Sequence, residues 1–287
     1  MRGVSELPSD AVPPPAVLDA FGVTGSAVPL AGGQGRSVLV GGYVFKPAEG
    51  ANDEVEWATA LFESLARDGG FRVPPPLRAA DGRCVVDGWM ASGFVLGRAG
   101  PQGRWGDVLD AGRAFHAALR GMPRPDFLDR RSHPWAVADR VAWGELEAEV
   151  VDDLAAPLST LLDLRHPVNQ AAAQLVHGDL TGNVLLAPGR APAVIDFSPY
   201  WRPPLFAEAV VIADGLLWFG LPYGLLAAHE HPDWPQMLVR ALIFRLVAHS
   251  ESVRPRAQAA PGEAERFVRA ADAVARVVLR RHGAGGS

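Results

Sequence analysis

Leu175-Val176-His177-Gly178-Asp179-Leu180-Thr181-Gly182-Asn183-Val184-Leu185-Leu186, followed by Ala193-Val194-Ile195-Asp196-Phe197, is the stretch on which the reading of this 287-residue chain turns. An ionisable knot sits between apolar runs of the length of short buried strands. Asp179, Asn183 and Asp196 all carry side-chain oxygens, and a β-hairpin would bring the last two close to the first. Hard cations such as Mg²⁺ take carboxylate and carbonyl oxygens and keep some of their waters, so two such ligands plus substrate phosphates suffice. Asp179 is then left to accept a proton from an attacking hydroxyl, the role that phosphoryl transfer assigns to a catalytic-loop Asp. Asp, Asn and Gly are also turn formers, so either segment alone reads equally well as a capped turn. Both together, in this order and each beside an apolar strand, point to a site.

Composition narrows the classes. Hydrophobic residues make up 48% and charged residues 21%, ordinary for a globular protein, and the length admits one large domain or two lobes. No apolar run approaches a bilayer span, so no membrane partner is expected. Met1 to Pro15 is polar and Pro-rich, without the basic and apolar regions of a signal peptide. Cys84 stands alone, so no intrachain disulfide forms and a reducing cytoplasm is the expected compartment. A net charge of −5 argues against a nucleic-acid partner. The 27 basic residues include a single lysine, Lys46. Heavy use of Ala, Gly, Pro and Arg suggests a bias that replaces Lys wherever Arg serves. The two are not interchangeable where a compact point charge is needed, so Lys46 is expected to do work that Arg cannot.

Along the chain, residues 1–25 read as a mobile tail in which Val17 to Phe21 forms a helical turn that docks on the domain. From Val28 the pattern is strand, glycine loop, strand, turn, strand. Gly32, Gly33 and Gly35 let backbone N–H groups approach phosphates closely, and the Gly41-Gly42 pair signals a hairpin leading to Tyr43-Val44-Phe45-Lys46. Asn52 to Arg67 reads as a helix capped by Asn52 or Asp53, with a stripe of Trp57, Leu61, Phe62 and Leu65. Cys84 to Val86 and Trp89 to Ser92 are strand-like, joined by Asp87-Gly88. After Gly97 helical patterns dominate. The acids between Trp143 and Leu154 read as a solvated face. Leu205 to Phe219 is a nearly all-apolar helix, in which Glu208 and Asp214 need partners because a buried lone carboxylate is costly. The stripe Phe267, Ala271, Val274, Val278 marks a closing helix.

His177-Gly178-Asp179-Leu180 resembles the H-G-D-L catalytic loop of the aminoglycoside phosphotransferase family, whose fold is that of protein kinases. Asp196-Phe197-Ser198 resembles the D-F-G element with Ser in the last place. The glycine loop ahead of Lys46 resembles the family's glycine loop and strand-three lysine, and Glu56 to Leu61 resembles the helix whose Glu pairs with that lysine. The resemblance covers roughly residues 28–250, with dense motifs at 32–46 and 177–197. It implies an α+β, two-lobed protein-kinase-like fold, with a small β-rich N-lobe over 26–96 and a mostly helical C-lobe over 97–282. A disordered tail, 283–287, follows.

The resemblance also implies transfer of the γ-phosphoryl group of ATP, with Mg²⁺, to a hydroxyl of a small molecule. In that reading Gly32, Gly33 and Gly35 cover the phosphates, and Lys46, held by Glu56, contacts them. Backbone groups from Met90 through Phe94 meet the nucleobase. Asp196 and Asn183 bind the metal, Asp179 is the base, and Glu208 or Asp214 supports the catalytic-loop backbone. Two departures stand out. Asn183 follows Asp179 by four residues where the kinase pattern has five, and Ser198 replaces Gly. The first leaves the metal role of Asn183 open. Both favour an alternative of another class, a nucleotide-binding regulator or pseudokinase without transfer. No A-P-E-type element follows Asp196 to organise a peptide substrate, which places a protein kinase last. The acceptor, and ATP against GTP, are left undetermined.

Overall fold

A computed structural model describes residues 12–30, 35–65, 70–101, 103–147, 149–227, 229–256 and 262–284. Gly32, Gly33, the first eleven residues and the last three lie outside the described residues. The chain divides into two units, Met1–Ala99 with Val184–Phe197 and Gly100–Asn183 with Ser198–Ser287.

The first unit begins with α1 (Pro15–Ala20), β1 (Val28–Pro29), β2 (Val38–Val40) and β3 (Tyr43–Pro47). After α2 (Asn52–Ser64) come β4 (Pro76–Leu77), β5 (Trp89–Gly93) and β6 (Arg98–Ala99). Five of these strands form one antiparallel sheet in the order β1-β2-β3-β5-β4. Its central hairpin exists because Gly41 and Gly42, at φ 56 and 87, supply the two positive φ values of a primed two-residue turn. A Cβ at Gly41 would also lie 2.8 Å from the Thr24 carbonyl oxygen. That turn pairs Val40 with Tyr43 and Val38 with Phe45. Strand alternation then turns Val38, Val40 and Phe45 into one core.

α1 belongs to that core. Val17 is fully buried, and Phe21 meets Phe45 edge to face at 5.6 Å. The helical turn docks as expected, and Val23 of the expected mobile tail packs with it, because the sheet needs an apolar cover that Val17, Phe21 and Val23 provide. Two further expectations change. Cys84 to Val86 is not a strand but a single bridge, Val86 to Trp89. α2 starts after Ala51, which has no capping side chain; Asp53 and Glu54 in its first turn supply the negative charge that a helix start favours.

The second unit carries α3 (Trp105–Ala118), α4 (Phe127–Arg130), α5 (Pro134–Trp143), α6 (Asp152–Leu164) and β7 (Gln174–His177). The chain then returns to the first unit for β8 (Val184–Leu186) and β9 (Ala193–Val194), which form a sheet in the order β6-β8-β9. A lobe boundary at residue 97 puts this hairpin among the helices. It groups with the first unit instead because β6 pairs with β8, while the backbone of Arg72 bonds Pro192 and Val194 at 2.7 and 2.8 Å.

Back in the second unit, β10 (Pro199–Arg202) pairs antiparallel with β7, His177 opposite Pro199. α7 (Pro204–Asp214) follows and passes into a π-helical turn, Gly215–Phe219. The remaining helices are α8 (Gly224–Ala227), α9 (Trp234–Val253) and α10 (Glu263–Ala284). α9 is buried nearly all round, as a helix apolar on every side must be, and packs on α5, α6, α7 and α10. The stripe Phe267, Ala271, Val274, Val278 is buried. Among the described residues no helix is long and apolar enough to cross a membrane.

Candidate active site

In the first unit β3 carries Lys46 opposite Met90 of β5. The Lys46 ammonium pairs with Asp196 Oδ1, joining two residues 150 apart in sequence. Asp196 sits at φ 50, uncommon for a residue with a side chain. Backbone outliers of this kind cluster at functional sites. The next residue packs on α2. The Phe197 ring stacks on Trp57 and Phe62 of α2, centroids 6.3 and 6.0 Å away.

The expected Lys46–Glu56 pair does not form. Glu56 accepts from Arg78 Nη1 at 2.7 Å and from the Cys84 thiol at 2.9 Å. Arg78 also holds Glu63, at 2.7 and 3.1 Å. Glu56 and Glu63 lie two turns apart on one face of α2, so one guanidinium bridges both. The Cys84 hydrogen bond first, and Arg78 second, hold the Glu56 carboxyl below the usual carboxylate range. Of the other expected nucleotide contacts, Gly35 has φ 72, the conformation that favours glycine. Phe94 exposes its ring, but its N–H already donates to the Gly42 carbonyl at 3.0 Å. A base contact there is left to the carbonyl and the ring.

In the second unit the catalytic-loop candidate leaves β7 at His177. His116 on α3 is buried, and its Nε2 accepts the His177 N–H at 2.9 Å. Burial, helped by neighbouring His177, pushes the His116 imidazole down to about 3. It is therefore a neutral acceptor that anchors the strand. The His177 ring in turn accepts the Asp179 N–H through Nδ1 at 3.1 Å. Gly178 is needed for space, since a Cβ there would lie 2.4 Å from the Tyr200 ring. Its N–H bonds the Ser198 carbonyl at 3.0 Å.

Asp179 and Asn183 are brought together. Asn183 Nδ2 donates to the Asp179 carbonyl at 2.8 Å and to Asp179 Oδ2 at 3.2 Å. Asp179 Oδ1 accepts from Arg245 Nη2 at 2.6 Å. Of the two acids on α7, Asp214 is the one linked to this loop, through Arg245 and with the Thr181 side chain beside it. Glu208 pairs with Arg113 at 2.6 and 3.0 Å. The four expected chemical residues thus form two pairs, Lys46 with Asp196 in one unit and Asp179 with Asn183 in the other.

Sequence reasoning missed Arg245 and Arg202. Their signal was an arginine set among apolar neighbours, which announces a buried partner without naming it. Arg202 on β10 bonds Asp139 of α5 and also Glu145, and stacks over Trp143 at 4.7 Å. Glu145 is consequently not part of a merely solvated acidic face. Among the described residues no group of three or more His, Cys, Asp or Glu side chains could hold a metal ion.

A β-rich unit bearing a lysine on a D-F-type aspartate, and a helical unit bearing an H-G-D loop, define a small-molecule phosphotransferase of protein-kinase-like fold. Residues 26–237 match the model of the phosphotransferase enzyme family, and the chain belongs to that family. An aminoglycoside phosphotransferase from Alicyclobacillus acidocaldarius is similar over 96% of both chains, with TM-score 0.62 and 16% identity. Choline kinase LicA from Streptococcus pneumoniae is similar over 91% of this chain and 98% of its own, with TM-score 0.59 and 11% identity. The spectinomycin phosphotransferase APH(9)-Ia, solved with ADP and spectinomycin, is similar over 90% and 95%, with TM-score 0.56 and 14% identity. At such identities the likeness is one of fold. Comparison with curated protein sequences returns no match.

Proposed function

We propose that this enzyme transfers the γ-phosphoryl group of ATP, with Mg²⁺, to a hydroxyl of a small molecule. The observation that carries the reading is the Lys46–Asp196 ion pair, in which the single lysine of the chain meets the aspartate of the D-F-S turn. A compact ammonium beside a carboxylate suits a polyphosphate and its cation. The spectinomycin phosphotransferase complex with ADP and spectinomycin supports a nucleotide and a hydroxyl-bearing acceptor as the two substrates.

Lys46 holds the α- and β-phosphates, and the loop of Gly32, Gly33 and Gly35 covers them. Met90 and Phe94 border the nucleobase. The donor chemistry fits Mg²⁺: Asp196 offers a carboxylate and Asn183 an amide oxygen, both hard, and phosphates and water complete such a shell. Because Asn183 turns Nδ2 to Asp179, its Oδ1 is the atom for the metal. When bound, Mg²⁺ offsets the charge that develops on the phosphoryl oxygens. Asp179 orients the acceptor hydroxyl and takes its proton as the new O–P bond forms and the bond from the γ-phosphorus to the β,γ-bridging oxygen breaks, with ADP as the leaving group.

The test is a thermal-shift screen with ATP, GTP and Mg²⁺, followed by a panel of amino sugars, sugars and amino alcohols read by mass. A Mg²⁺-dependent nucleotide shift and a gain of one phosphate on a panel compound are expected. Nucleotide binding with neither transfer nor phosphate release from γ-labelled ATP would replace this reading with a regulator.

A further inference from the structure

Arg245 lies within α9, where apolar neighbours leave a guanidinium no water to fall back on. Its side chain is 4% exposed and that of Asp214 is 3% exposed. Nε donates to Asp214 Oδ1 at 2.6 Å and Nη2 to Asp214 Oδ2 at 2.7 Å, a forked arrangement that removes the rotational freedom of the guanidinium. The rings of Trp135 and Phe244 flank it, 5.4 and 5.3 Å from the guanidinium carbon. The same Nη2 reaches out to Asp179 Oδ1 at 2.6 Å. Asp179, by contrast, is 42% exposed. One end of the chain of bonds is sealed in the core and the other meets solvent.

The second oxygen of Asp179 accepts from Asn183. With both oxygens tied from within the same unit, the carboxylate plane is set before any acceptor arrives. We infer that Arg245, locked by Asp214, is the positioning residue that fixes the Asp179 carboxylate for the acceptor hydroxyl. The inference rests on the phosphotransfer reading above, in which Asp179 is the base. Burial works against the Arg245 charge, and Asp214 and Asp179 more than offset it, so the guanidinium stays ionised. A lysine would keep the charge, but its ammonium lacks the planar fork that serves two carboxylates at once.

The experiment uses the full chain and Arg245→Lys, Asp214→Asn, Asp179→Asn and the Arg245→Lys/Asp179→Asn pair. Turnover is read as phosphate release from Mg·ATP with water as acceptor, and nucleotide binding as the ATP-induced thermal shift. Arg245→Lys is expected to keep the thermal shift and the KM for ATP while kcat falls about 10- to 100-fold, since a misplacement of about 1 Å can cost that much. In the Asp179→Asn background the same change is expected to cost nothing more, because residues acting through one group are not additive. Wild-type kcat in Arg245→Lys, or a loss that multiplies with that of Asp179→Asn, would reduce Arg245 to a structural tie and overturn the inference. If Arg245→Lys does not fold, Asp214→Asn is judged by the same split between kcat and KM. That split also decides where Asp179→Asn turns over below detection. Wild-type turnover in Asp179→Asn itself would instead remove the base, and with it the underlying reading.

Discussion

Where one ammonium meets one carboxylate, the size of the ammonium matters as much as its charge. Lys46→Arg keeps the charge but puts a broad planar group against Asp196, so kcat is expected to drop by about 100-fold, measured with KM for ATP in the same assay. Asp179→Asn keeps the shape and removes the proton acceptor. Turnover is expected to fall about 10²- to 10⁴-fold while the ATP-induced thermal shift persists. The partners of Lys46 and Asp179 were unequally legible. Asp196 could be read as a site residue because D-F after an apolar strand is distinctive, but its pairing with Lys46 could not, since the sequence pointed Lys46 to Glu56. Glu56 was misread because position on a helix says nothing of an arginine arriving from the loop after β4, and Arg78 claims both Glu56 and Glu63. The partner of Arg245 was hidden for a related reason. Its pairing with Asp179 spans 66 residues, a separation at which no local pattern operates.

Segments with their own turn chemistry could be read closely, and segments held by a partner surface could not. Gly41-Gly42 announced the β2–β3 hairpin because few other residues adopt two successive positive φ values. α1 could be read as a helical turn, but how firmly it is held could not: six residues are too few for a helical period, and what orders them is the apolar face of the sheet. Phe21→Ala is accordingly expected to destabilise the first unit by about 3 kcal/mol, the range for deleting a buried aromatic side chain. The check is the denaturation midpoint followed by fluorescence. A change under about 0.5 kcal/mol, the level of an ordinary surface substitution, would return α1 to the status of a loose tail. The placement of the Val184–Val194 hairpin was likewise hidden, because β6 and Arg72 decide it from far away in sequence.

For the protein entire, acid stability should follow His116. Folded, its imidazole is held near about 3 by burial; unfolded, it titrates at the ordinary value near 6.5. Above the unfolded value neither state carries the proton and the stabilisation is complete. As pH falls from there toward the folded value, only the unfolded chain gains a proton, so stability declines. The expected loss is about 2 kcal/mol by pH 5, from the linkage between proton binding and folding. Urea denaturation at pH 7.5 and pH 5 should show it, and His116→Gln, which keeps an acceptor for the His177 N–H, should lose less over the same interval. Equal losses in both proteins would assign the acid sensitivity elsewhere. The Lys46–Asp196 pair has a practical corollary too. An acylating electrophile finds one lysine in this polypeptide, and that lysine touches Asp196, so adduct mass on the peptide that carries Lys46 would report whether that corner is occupied.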